Sequence, residues 1–229
     1  MSLRSVEINS PPLINLGELP SRTVDDIQSL ADEVAIHPGY SEAGRASRRV
    51  EFTAGEENAT DLHVLAAELG HEYIGIEPGP GSVALISTVT NAELFRTHTQ
   101  NQKAACNWHQ DFVLTDRGFY HIPEEVTRLI LPMQAGPFYA EGQMAIARAF
   151  ELPEVEPPTP IDREKALKMA PSVIGADGVL IKSEKQPTGG KVTEAKPNCA
   201  YIVPRDSIHK TNPRVPQGRI FFQLDTVDM

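Results

Sequence analysis

Cysteine is scarce in this sequence, with only Cys106 and Cys199 among 229 residues. Two cysteines cannot form the disulfide framework of a small secreted domain, and they cannot supply a four-thiolate zinc site. Unpaired thiols are typical of reducing compartments. We therefore expect a cytoplasmic protein whose fold depends on an ordinary hydrophobic core, which a chain of this length can build.

Long apolar runs and uninterrupted basic clusters are also missing. No apolar stretch approaches the roughly 18 residues that a membrane span needs, and the N-terminus lacks a signal-peptide core. The net charge is −10, and the tightest basic group, Arg45, Arg48 and Arg49, is flanked by Glu42 and Glu51. Proteins that bind nucleic-acid phosphates usually carry a basic surface. The composition thus argues against nucleic acid and membrane as partners, favours a small-molecule ligand, and indicates no oligomeric state.

The organisation of the chain predicts one domain over residues 1–229, with a mostly helical support region at 1–80. Apolar residues recur at helical spacing after Thr23, a predicted N-cap, and His37-Pro38-Gly39 ends that helix. A second helix is predicted over residues 59–69, closed by Gly70. The 19 prolines are scattered, as expected for many short strands joined by turns.

The remaining chain is predicted to consist largely of strands, which form a catalytic core over residues 81–229. Helices followed by strands argue against a doubly wound α/β fold and favour a jelly-roll, or double-stranded β-helix. Residues 135–141 should turn, 151–160 should form a proline-rich loop, and 162–170 a short helix. The predicted strands cover residues 82–89, 127–133, 142–147, 178–183, 191–195, 200–203 and 219–224.

Trp108-His109-Gln110-Asp111 is the sharpest local feature. In an extended segment alternate residues share a face, so His109 and Asp111 should project to the same side. An imidazole and a carboxylate on one face supply two of the three ligands of a facial 2-His-1-carboxylate metal site. Such triplets also occur by chance, with the Asp capping a turn beside a surface His.

A second feature lies near the C-terminus, where a strand leads into Ser207-Ile208-His209 and a turn follows. Arg219 stands ten residues after His209 and opens the last strand. Phe221 and Gln223 should share its face. Because an unpaired buried charge costs several kcal/mol, a buried Arg219 should pair with a carboxylate.

These segments, in this order and near these distances, resemble the iron(II)/2-oxoglutarate-dependent oxygenases. The resemblance covers the chain from about Ser82 onwards in strand order. It implies that His109, Asp111 and His209 bind Fe(II), and that Arg219 holds the distal carboxylate of the cosubstrate 2-oxoglutarate. It also implies that O2 is consumed and that a C–H bond of the substrate is oxidised.

One position departs from the pattern of the family. Many relatives carry a small hydroxyl residue two positions after the arginine, where this chain has Phe221. Either another donor helps to hold the cosubstrate, with Gln143, Tyr139 and Thr99 as the candidates, or the far end of the cosubstrate pocket has a different shape.

Neighbouring residues have competing interpretations. If 95–100 is a strand, Arg96 and His98 share a polar face suited to a carboxylate substrate such as an amino acid; the alternative is a solvated edge strand. Trp108 could wall the substrate pocket, or belong to the core. His121 could complete a local zinc site with His109 and Asp111, but the intervening segment reads as a lid or hairpin.

Three functions therefore remain open. The first is a 2-oxoglutarate oxygenase that hydroxylates, desaturates or cyclises a free amino acid or other small metabolite. The second is a cupin-like metal-dependent dioxygenase or isomerase without 2-oxoglutarate, which gains if Arg219 faces outward or pairs with an internal acid. The third is a jelly-roll binding module without activity, which requires that His109, Asp111 and His209 do not converge.

Overall fold

The structure is a computed structural model of the 229-residue chain. It describes residues 5–6, 13–54, 60–101, 108–110, 112–115, 118–121, 126–140, 144–145, 182–183, 191–204, 207–212 and 214–227. The predicted loop at 151–160 and the predicted helix at 162–170 lie outside these ranges.

Three helices are present in the described part: α1 (Ser21–Ile36), α2 (Asp61–Ile74) and α3 (Ala92–Asn101). The prediction that Thr23 is the N-cap of this helix was wrong. Helix α1 begins at Ser21, after Pro20, and no side chain caps its N-terminus. The stop at His37 is confirmed. No described helix combines the length and apolar character needed to cross a membrane.

Helix α2 runs past Gly70, the residue predicted to close it, and ends at Gly75. Gly75 adopts the left-handed conformation (φ +67°) that commonly terminates helices. Thr60 is the N-cap, its side chain accepting a hydrogen bond from the backbone N–H of His63. The helix is therefore one turn longer at its C-terminal end than the sequence pattern indicated.

Sixteen strands are present in the described residues, in two larger sheets and two isolated pairs. Those of the N-terminal half are β1 (Ser5–Val6), β2 (Ile14–Glu18), β3 (Tyr40–Glu42), β4 (Arg45–Glu51), β5 (Val83–Val89), β6 (Trp108–Gln110), β7 (Phe112–Thr115) and β8 (Gly118–His121). Those of the C-terminal half are β9 (Val126–Pro132), β10 (Phe138–Ala140), β11 (Met144–Ala145), β12 (Lys182–Ser183), β13 (Val192–Glu194), β14 (Cys199–Val203), β15 (Ile208–Lys210) and β16 (Ile220–Val227).

The two larger sheets have the strand order of a jelly-roll. The large sheet runs β2-β14-β9-β16-β5-β4-β3, and the small sheet runs β12-β6-β15-β10-β13. Eight strands form nested antiparallel pairs, first with last: β5 with β16, β6 with β15, β9 with β14 and β10 with β13. This nesting is what folding one long hairpin into two sheets produces. The jelly-roll prediction is confirmed.

The main core lies between the large sheet and helices α1 and α2. On β16, Ile220, Phe222 and Leu224 point into it and are almost fully buried, each contributing about 1.5–3 kcal/mol to the free energy of folding. The helices contribute Ile27, Leu30, Ala31 and Val34 from α1, and Leu62, Leu65, Ala66 and Leu69 from α2. The opposite face of this sheet, which carries Arg219 and Phe221, is therefore turned away from the helices.

Two sequence predictions about local structure hold only in part. The first 80 residues contribute β2, β3 and β4 to the large sheet and are not simply a helical support. The predicted turn at 135–141 contains strand β10, which pairs with both β13 and β15. Strand β10 is only three residues long, so its pairing and not its composition determines its conformation.

Candidate functional site

A cavity of about 230 Å³ lies on the face of the large sheet that is turned away from the helices. The residues of its floor lie in register on neighbouring strands. Arg45 pairs with Val89 across β4 and β5, and the backbone N–H of Val89 donates to the carbonyl of Arg219 at 2.7 Å. These three residues form one row across three neighbouring strands. All three line the cavity.

The next row of the floor carries Phe221, opposite Ser87 on β5. Both residues line the cavity, and Ser87 is buried with only 8% of its surface exposed. The prediction that Phe221 and Gln223 share the face of Arg219 is confirmed. The described residues that line the cavity are Arg45, Leu85, Ser87, Val89, Phe95, Arg128, Ile130, Pro137, Tyr139, His209, Thr211, Arg219, Phe221 and Gln223.

The small sheet supplies the roof of the cavity. Tyr139 on β10 and His209 on β15 are directly opposite in register, and their rings stack with centroids 5.4 Å apart. On the other side of β15, the backbone of His209 pairs with that of His109 on β6. Directly opposite residues of an antiparallel pair share a face of the sheet. His109, His209 and Tyr139 thus occupy one row on three adjacent strands.

Arg128 is a cavity arginine whose charge is neutralised within the protein. Its Nε and Nη2 donate to Oδ1 and Oδ2 of Asp225 at 2.7 and 3.0 Å, in the two-pronged geometry that arginine forms with carboxylates. Gln223 Nε2 also donates to Asp225 Oδ2 at 3.0 Å. Both charged residues are buried. This pair leaves no net charge for a ligand.

Arg219 differs from Arg128 because no carboxylate pairs with it among the described residues. Its residue surface is 7% exposed, and its buried Nε has no hydrogen-bond partner. Its guanidinium carbon lies 5.8 Å from the centre of the Phe221 ring. Burial and the positive charge of Arg45 lower the pKa of Arg219 to about 10, and the charge of Tyr139 acts in the opposite direction. The site is thus electropositive where a small anion could enter.

Arg45 is the second cavity arginine without an ion-pair partner in the described part of the chain. Burial lowers its pKa, and the charge of Glu42 acts in the opposite direction. The carboxylate of Glu42, however, lies 3.4 Å from His98 Nε2. Sequence reasoning missed Arg45, which it assigned to a basic group flanked by acidic residues. A signal existed in the alternation of β4, where Ala46 is buried beside it, but only strand pairing places Arg45 next to Arg219.

The predicted metal ligands are described to different extents. His209 lines the cavity, the backbone of His109 is in register with it, and Asp111 lies outside the described residues. Among described side chains no group of three or more potential ligands is found. The metal site therefore stays a prediction.

The structure places Trp108 in a small core with Ala140 and Ile208, where it is 2% exposed. The ammonium of Lys210 lies 4.8 Å from the centre of its ring. Trp108 is next to His109 in β6 and therefore on the other face of the small sheet. It is not among the described residues that line the cavity, so its predicted substrate contact gains no support.

The condition that residues 95–100 form a strand is not met, since these residues belong to helix α3. Arg96 and His98, two residues apart, therefore lie on different sides of a helix instead of one strand face. Arg96 is exposed and its Nε donates to the carbonyl of Ala92, whereas His98 contacts Glu42. From α3 it is Phe95 that lines the cavity. Substrate binding by Arg96 and His98 loses its structural premise.

The segment after Asp111 forms the predicted hairpin, in which β7 pairs with β8 and Phe112 is opposite His121. Whether His121 binds zinc stays untested. Of the candidates for a second cosubstrate contact, Tyr139 lines the cavity, Thr99 lies on α3 and Gln143 is outside the described residues.

Comparisons with known proteins bear on the fold. No protein-family model matches the sequence, and no curated protein matches it significantly. The chain is similar to HygX from Streptomyces hygroscopicus, whose crystal structure has nickel and 2-oxoglutarate bound, at 12% identity over 95% of this chain and 82% of that one, with a TM-score of 0.42. It is similar to AviO1 from Streptomyces viridochromogenes Tue57, at 13% identity over 94% and 89% of the two chains, with a TM-score of 0.39. A prolyl-4-hydroxylase from Pseudomonas putida is similar at 11% identity over 97% and 89%, with a TM-score of 0.30. The assignment of the fold rests on the strand pairing of the chain itself.

Proposed function

We propose that this protein is a non-haem iron(II), 2-oxoglutarate-dependent oxygenase that oxidises a C–H bond of a small molecule. One observation carries the proposal. The buried guanidinium of Arg219 has no carboxylate partner in the described part of the chain, and it lines the same cavity as His209. A buried cation without a counter-charge is costly, so the site is built to receive an anionic ligand.

The donor set fits iron(II). His109, Asp111 and His209 would hold the metal, since two imidazoles and one carboxylate suit this ion and leave positions open for other ligands. The pairing of His109 with His209 across β6 and β15 supports the assignment, because it brings residues a hundred positions apart to one face of the sheet. When bound, the metal and 2-oxoglutarate supply the oxidising chemistry with O2.

The chain's own residues would bind and orient the ligands. Arg219 offers two parallel N–H donors to the distal carboxylate of 2-oxoglutarate. Tyr139, stacked on His209, restricts the orientation of that imidazole. Ile130, Val89 and Phe95 give the cavity apolar walls that exclude water from the reacting groups. The cavity volume of about 230 Å³ is below the range for drug-sized ligands, as suits a small metabolite.

The test is an anaerobic titration of the protein with iron(II) and 2-oxoglutarate, monitored through the weak visible charge-transfer band of the metal chelate. The native chain should give the band. Asp111→Ala should abolish it, because the metal loses its charged ligand. A native chain that gives no band contradicts the proposal.

The role of Arg219 is tested separately by the affinity for 2-oxoglutarate. Arg219→Lys should weaken binding about tenfold or more, since lysine keeps the charge but cannot form the planar two-pronged contact. Arg214→Lys is the control, because Arg214 is exposed in the same connection and does not line the cavity. Equal affinities in the two variants would show that Arg219 has another function.

The alternative of a metal-dependent dioxygenase or isomerase without 2-oxoglutarate required an outward-facing or internally paired Arg219. In the described structure Arg219 is buried and has no acidic partner, which supports the oxygenase instead. Product analysis with candidate free amino acids, run with 2-oxoglutarate and O2, separates hydroxylation, desaturation and oxidative cyclisation. Succinate formation that depends on the added compound identifies the substrate.

A further inference from the structure

We infer that Arg45 and Arg219 form a two-guanidinium site for a single carboxylate, so that a strand outside the eight-stranded core supplies half of the cosubstrate recognition. The inference rests on the proposed function for the identity of the ligand, a small 2-oxo dicarboxylate. It assigns to Arg45 a binding role that the family pattern does not include.

Geometry is the first support. Arg45, Val89 and Arg219 occupy one cross-strand row on β4, β5 and the start of β16. Residues in such a row lie on the same face of a sheet, about 5 Å apart from strand to strand. Arg45 and Arg219 are thus separated by one intervening residue, Val89, and both line the cavity.

Charge balance is the second support. Of the three arginines that line the cavity in the described part of the chain, Arg128 forms an ion pair with Asp225. Arg45 has Glu42 opposite it on β3, which favours its charged form, but no ion pair joins the two among the described residues. Arg45 and Arg219 are close enough for the charge of Arg45 to disfavour the protonated form of Arg219. Two neighbouring guanidinium groups repel each other unless an anion lies between them. The arrangement is therefore costly without a ligand and favourable with one.

The replacement at Phe221 is the third support. A phenylalanine at this position cannot donate a hydrogen bond to the cosubstrate, and its ring packs near the Arg219 guanidinium. A donor elsewhere on the same face can take its place. Arg45, in the cross-strand row next to that of Phe221, presents up to five N–H donors. Ser87, directly opposite Phe221, adds a hydroxyl to the floor of the cavity.

The test compares two ligands that differ only at the proposed contact. Affinities for 2-oxoglutarate and for 2-oxopentanoate, which has a methyl group in place of the distal carboxylate, are measured by calorimetry under anaerobic conditions with iron(II). Arg45→Met should weaken 2-oxoglutarate binding about tenfold to a hundredfold, because it removes a charge-assisted hydrogen bond. Binding of 2-oxopentanoate should be unchanged.

The chain offers a matched control. Arg49 lies on the same strand and the same face of β4, but outside the cavity, where it pairs with Glu51 at 2.9 Å. Arg49→Met should leave both affinities unchanged. Should Arg45→Met fail to fold, Arg45→Lys carries the test, with an intermediate loss for 2-oxoglutarate alone.

Two further ligands, glutarate and inorganic phosphate, are titrated without metal. If Arg45→Met weakens glutarate binding but the native protein gives no chelate band, the dicarboxylate site stands and the oxygenase proposal is overturned. If the native protein gives a normal band but Arg45→Met and Arg45→Lys bind 2-oxoglutarate as tightly as it does, the oxygenase proposal stands and the two-guanidinium site is overturned. Phosphate that binds as tightly as glutarate would show a general oxyanion site and overturn the assignment to a dicarboxylate.

Discussion

Asp225 is a residue on which the balance of charge in the cavity wall depends. Its carboxylate accepts hydrogen bonds from Nε and Nη2 of Arg128, which lies opposite it on β9, and a further one from Gln223. The side chains of Arg128 and Asp225 are 5% and 12% exposed, so water replaces little of this interaction if one partner is lost. The neutralised charge of Arg128 thus distinguishes it from Arg45 and Arg219, the arginines proposed to bind the ligand.

Asp225→Asn should therefore destabilise the protein by about 3 kcal/mol or more, because Arg128 would remain buried with its charge uncompensated. The free energy of unfolding in urea measures the effect. Arg49→Met, which removes the exposed pair with Glu51, should cost less than about 1 kcal/mol. Comparable losses from both variants would contradict the assigned difference between the buried and the exposed pair.

Arg45 gives the opposite expectation for stability. Arg45→Met removes a partly buried charge that repels Arg219, so the ligand-free protein should be as thermally stable as the native chain or more so. The rise in melting temperature that 2-oxoglutarate produces should shrink, because the stabilisation by a ligand grows with the logarithm of its concentration relative to its Kd. A lower melting temperature without ligand would indicate that Arg45 serves the fold.

Sequence reasoning predicted one of these arginines and missed the other for a physical reason. Arg219 is marked by its distance from His209 and by the apolar residues around it. Arg45 belongs to a charged segment flanked by acids, and its approach to Arg219 depends on pairing between strands that are separated by more than 30 residues. The register between strands this far apart in the chain cannot be predicted from the local sequence.

At the scale of elements, helix α2 shows why a glycine can mislead. Gly70 was predicted to end the helix, yet it lies inside it. A Cβ built there would lie 2.7 Å from the carbonyl oxygen of Ile76 and 3.2 Å from a methyl group of Leu224. The glycine permits close packing of the helix against the following chain and β16, and does not terminate the helix.

Gly70→Ala should therefore destabilise the protein by about 1–3 kcal/mol, although alanine favours an isolated helix by roughly 1 kcal/mol. Gly75 is the comparison, because a Cβ there meets nothing within 4 Å while its φ of +67° is unfavourable for alanine. Asparagine tolerates that conformation, so Gly75→Asn should cost little and Gly70→Asn much. Urea unfolding of the three variants decides, and a neutral Gly70→Ala would contradict the packing argument.

Helix α3 and strand β4 were not predicted from the sequence, for complementary reasons. Residues 95–100 alternate polar identities in a way that fits a strand, but Asn91 caps a helix there by accepting hydrogen bonds from the N–H groups of Glu93 and Leu94. Strand β4 contains three arginines and little apolar character, so it showed no strand pattern. It is a strand because β5 pairs with it over its whole length.

At the scale of the whole molecule, the order of the strands made the jelly-roll predictable. Strands β5, β9, β14 and β16 are apolar segments that the sequence pattern locates, and they form the centre of the large sheet. The short strands of the small sheet, of two or three residues each, are defined mainly by their partners. The fold class was therefore within reach, whereas the register that builds the site was not.

The strand order predicts the pattern of amide hydrogen exchange. Strand β16 is the middle strand of the large sheet, with β9 and β5 beside it, while β2 and β3 are at the edges. Exchange should be slowest in β16 and β9, whose opening requires loss of the main core, and fastest in β2 and β3. Exchange in β16 as rapid as at the edges, measured by mass spectrometry, would contradict this topology.

Strand β4 extends the large sheet beyond the eight strands that define the jelly-roll, and it carries Arg45 to the cavity. A protein engineer who trimmed the chain to its minimal barrel would keep the paired histidine strands and discard the proposed anchor for the dicarboxylate. Exchanging only the β3–β4 hairpin between related proteins would then be a way to change which 2-oxo acid binds while leaving the proposed metal ligands in place.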